Sequence, residues 1–93
     1  MVFELSTHFD ESEKRLLMEY EGFEIKLTVQ SDTLFYDNGV PILTPRRMIG
    51  DGEYYLLEVA DELNEWYMGV RDKNLNYVFW GPYRNLETAL KSL

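Results

Sequence analysis

The sequence predicts an α+β fold: an antiparallel sheet of about five strands, with a C-terminal helix and an N-terminal helix packed on it. Three observations carry that expectation. Leu86, Ala89, Leu90 and Leu93 recur at the i, i+3, i+4, i+7 spacing of one helical face. Phe23, Ile25, Leu27 and Val29 alternate with Glu24, Lys26, Thr28 and Gln30, the period-two pattern of a strand with one wet face. Glu53 to Ala60, Glu65 to Arg71 and Leu75 to Trp80 are rich in aromatic and aliphatic residues, and polar clusters separate them into an antiparallel meander.

In chain order, Asp10 to Glu21 is built from good helix formers, with Asp10 and Glu13 spaced as a capping box and Gly22 as a stop. Leu16, Met18 and Tyr20 also alternate, so a hairpin turning at Glu21-Gly22 into the next strand is the alternative for this segment. Thr33 to Leu43 holds Asn38-Gly39 in an apolar context, a hairpin signal because both residues tolerate positive φ, and Pro41 confines the return strand to an edge. Thr44 to Gly52 reads as the longest irregular loop, with Arg46-Arg47 exposed in it. With Asp72, Lys73 and Asn74 as a turn and Asn74 left-handed, Trp66 faces Trp80, Tyr67 faces Phe79 and Met68 faces Val78. A shorter turn moves that register by one. Gly81-Pro82 breaks the last strand, and Asn85 caps the final helix.

At 93 residues and 45% apolar composition, residues 1–93 are expected to form one globular domain with its own core. The absence of cysteine excludes a disulfide framework, a thiolate metal site and a cysteine nucleophile. No apolar run approaches membrane-spanning length, and Met1 to Asp10 is unlike a signal peptide, which points to the cytoplasm.

Net charge is −8, which opposes nonspecific binding to nucleic acid. That charge is unevenly placed: residues 51 to 65 carry six acids and no base, and no Lys or Arg occurs from Met48 through Val70. The expectation is a negative patch there.

Catalytic chemistry finds little to build on. The single histidine, His8, lies beside Thr7 and Phe9 and reads as an exposed or hydrogen-bonded spectator. Asp72, Asn74 and Asn76 copy the first oxygen positions of a calcium loop, but Tyr77 and Tyr83 stand where its glycine and bidentate glutamate belong. No phosphate-binding glycine loop is present. The expectation is therefore a protein that is not an enzyme and needs no cofactor or metal.

Both faces of the Glu65 to Trp80 hairpin are aromatic, so one covering layer leaves rings in water. Either the N-terminal helix or the Thr44 to Gly52 loop covers the second face, or that face is a partner site. In the second case Tyr67, Tyr77 and Phe79 form the site, rimmed by Glu53, Glu58, Asp61, Glu62 and Glu65.

Two stretches, FDESEKRLLMEYEGFEIKL (residues 9–27) and FWGPYRNLETALKSL (residues 79–93), resemble the repeat halves of the SPOR peptidoglycan-binding domain. The likeness lies in a helix, Gly22 and a strand in the first, and in Gly81-Pro82-Tyr83 before a helix in the second. It implies glycan binding. Thr7 or His8 stands where that family carries a glycine, and the meander departs from its topology.

The function expected from these features is a non-catalytic acidic protein-binding module of inhibitor or immunity type that docks a basic protein partner. The alternative is a small-ligand or cell-wall-glycan binding domain that uses an aromatic sheet face.

Overall fold

The computed structural model describes residues 1–93. Its elements run β1 (Val2–Glu4), α1 (Glu11–Glu19), β2 (Glu24–Ile25), β3 (Thr28–Gln30), β4 (Leu34–Tyr36), β5 (Pro45–Gly50), β6 (Tyr55–Val59), β7 (Trp66–Arg71), β8 (Tyr77–Tyr83) and α2 (Leu86–Lys91). The architecture is α+β. Its main sheet has six strands in the order β2-β5-β6-β7-β8-β4, and β1 pairs with β3 in a separate two-stranded sheet. The main sheet is mixed, because β4 runs parallel to β8, so the expected all-antiparallel sheet of about five strands is corrected in count and direction.

Both helices form where their local signals place them. Asp10 accepts from the Glu13 backbone N–H at 2.8 Å while the Glu13 carboxylate accepts from the Asp10 N–H at 2.9 Å, a complete capping box. Asn85 caps α2 through the Thr88 N–H at 2.8 Å, and Leu86, Ala89 and Leu90 are its buried stripe.

Several boundaries differ from expectation for identifiable reasons. The alternating run from Phe23 splits into β2 and β3, since the chain changes partners midway: Ile25 pairs with Ile49 of β5, whereas Val29 pairs with Phe3 of β1. Pro45 to Gly50 is a central strand rather than a loop. The Asn38-Gly39 turn forms, with Ile42 N–H donating to Leu34 O at 2.9 Å, but its return strand is reduced to one bridge between Phe35 and Pro41. In the β7–β8 hairpin, Met68 faces Trp80, Gly69 faces Phe79 and Trp66 faces Tyr83, outside both registers considered. Asp72 Oδ1 accepts from the Asn74 and Asn76 N–H groups, closing a longer loop in which Leu75, at φ 66°, is left-handed instead of Asn74. Gly81-Pro82 does not break β8; the pairing irregularity between Trp66 and Met68 accommodates it, as bulges accommodate proline.

Each face of the sheet carries its own core. One face gathers Leu34, Ile42, Met48, Leu57, Val59, Tyr67, Tyr77 and Phe79 beneath the β1–β3 ribbon, which supplies Leu5 and Val29. The other buries Phe9, Ile49, Leu56, Trp66 and Met68 under α2, the half-buried Leu16 and Leu17 of α1, and Tyr20 at its C-cap. The two-faced aromatic hairpin is therefore covered twice, by the ribbon on one side and by both helices on the other. Tyr55, Leu57 and Val59 alternate with Leu56 and Glu58 along β6, so the pleat alone sends successive residues to opposite cores.

Candidate functional site

The acids expected to rim one surface do not share it. Glu58 is fully buried on β6. Its carboxylate accepts from Arg47 Nε at 2.7 Å, Arg47 Nη2 at 3.0 Å, Arg46 Nη1 at 2.6 Å and the Asn64 N–H at 2.7 Å. Burial pushes the Glu58 carboxyl upward, but these donors outweigh it and hold the group below its ordinary value. Arg47 also donates to Glu13 Oε1 at 2.9 Å and to the His8 carbonyl at 3.1 Å. Its Cζ lies 4.7 Å from the Phe9 ring centroid and 5.0 Å from that of Trp66. Arg47 is thus an interior residue rather than an exposed loop cation, and Glu58 leaves the expected rim.

Glu53 lies on the β5–β6 turn, whereas Asp61, Glu62 and Glu65 lie on the β6–β7 turn at the other end of β6. The five residues of β6 put roughly 17 Å between the two groups. A continuous negative face between Met48 and Val70 is not formed. The three predicted aromatics are likewise interior: Tyr67, Tyr77 and Phe79 are 8%, 5% and 0% exposed. They make core contacts instead of an open aromatic face. Trp66 is also fully buried, so it offers no shelf for a sugar ring.

The structure does bring Glu62, Tyr67 and Phe79 together at one cavity of about 330 Å³, with Tyr36, Asp37, Asn38, Trp80 and Gly81 as its other walls. Parallel pairing of β4 with β8 builds it: Tyr36 lies beside Phe79 in the ladder, and Asp37 N–H donates to Phe79 O at 2.8 Å. The Tyr67 hydroxyl donates to Glu62 Oε1 at 2.6 Å, and the Tyr36 and Tyr67 ring centroids are 5.2 Å apart.

Burial first, then the hydrogen bond to Glu62, raises the Tyr67 phenol above its ordinary value. Burial first, then the charges of Glu62 and Asp61, raises Tyr36 as well. Both hydroxyls therefore remain protonated at neutral pH. No Lys or Arg nitrogen lies within 4.0 Å of Asp37, Asp61, Glu62 or Glu65. The pocket offers carboxylate acceptors and aromatic rings without a cation of its own. Sequence reasoning missed Tyr36 and Asp37 as neighbours of Glu62. Asp37 was legible only as a turn acid, since the parallel pairing that carries it to Phe79 joins residues far apart in the chain.

No three His, Asp or Glu side chains converge at metal-binding distance, and no helix is long and apolar enough to cross a membrane. No protein-family model, curated protein or solved structure matches the chain.

Proposed function

We propose that this chain is a non-catalytic acidic protein-binding module, of inhibitor or immunity type, that docks a basic protein partner. The pocket between Asp37 and Glu62 receives an arginine or lysine side chain of that partner. The observation that carries the reading is the pair of carboxylates left without a cation at a tyrosine-lined cavity, in a chain of net charge −8. A parallel inside the same protein supports it. Arg47 is held by two carboxylates, Glu58 and Glu13, and lies over two aromatic rings, Phe9 and Trp66. The pocket brings similar groups together in Asp37, Glu62, Tyr36 and Tyr67, without a guanidinium. Asp61 and Glu65 on the adjoining turn extend the negative field, which speeds encounter with a basic surface and makes it salt-dependent.

The test is affinity capture from the lysate of the producing cell, with the wild type and Asp37→Asn/Glu62→Gln compared at about 50 and 500 mM salt. The reading expects a basic protein retained by the wild type at low salt and lost from the double variant. A partner retained equally by both proteins, and indifferent to salt, overturns it.

A further inference from the structure

One cavity of this acidic protein is built from the opposite charge. Four cavities indent the surface, and three of them carry acids: Asp37 and Glu62, Glu13 and Glu87, and Glu24 and Asp51. The fourth, of about 240 Å³, lies where the β1–β3 ribbon meets the start of β8, and it is lined by Lys26, Thr28, Gln30, Thr33, Arg71 and Tyr77 together with two valines. No carboxylate lines it, although the chain has 17 acids against nine Lys and Arg. Neither Lys26 nor Arg71 takes part in an ion pair, and Lys26 also borders the third cavity beside Glu24 and Asp51.

The fold positions the Arg71 guanidinium and the Lys26 backbone. Arg71 faces Tyr77 across the β7–β8 ladder, and its Cζ lies 4.8 Å from the centre of that ring. Lys26 sits at the junction of β2 and β3, half-buried, with its backbone N–H donating to Met48 O at 2.8 Å. Thr28 and Gln30 add a hydroxyl and an amide as neutral donors. An arginine fork beside a lysine point charge suits a doubly charged tetrahedral oxyanion better than a singly charged planar one.

We infer that this cavity binds a phosphate group, either free or carried on a small molecule. A nucleic-acid backbone is disfavoured as its source, since the surrounding charge is negative and a polyanion needs a strip of cations. The site is independent of the Asp37–Glu62 pocket, and neither reading needs the other.

The test is titration of the full chain with inorganic phosphate and with phenyl phosphate, at constant ionic strength, followed by backbone amide chemical shifts. Sodium acetate and a short single-stranded oligonucleotide serve as comparison ligands. The expected result is saturable movement of the Thr28, Gln30, Thr33 and Tyr77 amides with both phosphates, and at least about tenfold weaker binding in Lys26→Gln and in Arg71→Gln. Arg71 is exposed and Lys26 half-buried, and matching spectra elsewhere in the variants show that the fold persists. Shifts that fail to saturate, that acetate reproduces, or that survive in Lys26→Gln/Arg71→Gln overturn the inference. Tighter binding of the oligonucleotide than of phenyl phosphate overturns it too.

Discussion

Arg47 and Glu58 face each other across β5 and β6 as ladder partners and form a two-point ion pair, Nε to Oε1 at 2.7 Å and Nη2 to Oε2 at 3.0 Å, with both side chains buried. The pair also reaches α1, because Glu13 Oε1 accepts both from Arg47 and from the Asp10 N–H that opens the helix. Helix cap and sheet interior thus share one carboxylate. No residue of α1 is fully buried, so this link, with the partial burial of Leu16, Leu17 and Tyr20, holds the helix to the sheet.

Removing one member of a buried pair leaves the other charge uncompensated, at a cost of about 3–5 kcal/mol, whereas replacing both with apolar residues is often near neutral. Arg47→Met leaves Glu58 with Arg46 as its remaining cation, so it is expected to lower unfolding stability by about 3 kcal/mol, the low end of that range, and Arg47→Met/Glu58→Leu to recover part of the loss. Urea titration of the two single variants and the double variant checks it. Losses that simply add would mean the two side chains are not coupled.

Acid sensitivity follows from the same carboxylate. The folded Glu58 carboxyl lies below its unfolded value of 4.5, so its stabilisation is present above that pH and is lost as pH falls through the folded value. Asp10, held down by the Glu13 backbone N–H and the Ser12 hydroxyl, contributes in the same direction. The urea midpoint should stay nearly flat between about pH 7 and 5 and fall below that, with a shallower fall in Glu58→Gln.

How much of this was legible in the sequence depends on whether the signal is local. The Asp10–Glu13 box and the Asn85 cap are satisfied within one helical turn, and both helices form where those residues stand. Strand β5 was hidden because Pro45, Arg46 and Arg47 read as loop until Glu58, eleven positions on, is known to neutralise the arginines. Alternation from Phe23 to Val29 tells which way side chains point, but not that Ile25 and Val29 belong to different sheets. The candidate pocket was half legible. Glu62, Tyr67 and Phe79 were visible, while Asp37 and Tyr36 arrive only through parallel pairing with β8.

Gly69 is pinned by the pairing of β7 and β8. A Cβ there would lie 2.5 Å from a Phe79 ring carbon and 2.6 Å from the Val78 carbonyl oxygen. Because one neighbour is backbone, Gly69→Ala forces the strands apart and should cost about 1–3 kcal/mol, read as a lower thermal midpoint. An unchanged midpoint would refute that close approach.

Tyr67 supplies a second titration. Its raised folded pKa means that stability is full below the unfolded value of 10.0 and is lost as pH rises beyond it. Tyr67→Phe should remove one upward-shifted step from the phenolate absorbance titration and cost about 1 kcal/mol through the lost hydrogen bond to Glu62.

The central claim, that the Asp37–Glu62 pocket accepts a cationic side chain, is tested most directly by titrating a short arginine peptide into the protein while following the backbone amide shifts of Asp37, Asn38 and Phe79, in the wild type and in Asp37→Asn/Glu62→Gln. The account predicts saturable binding that weakens about tenfold or more in the double variant and again as salt is raised. Equal affinity in the two proteins, or no saturable movement of those amides, would contradict it.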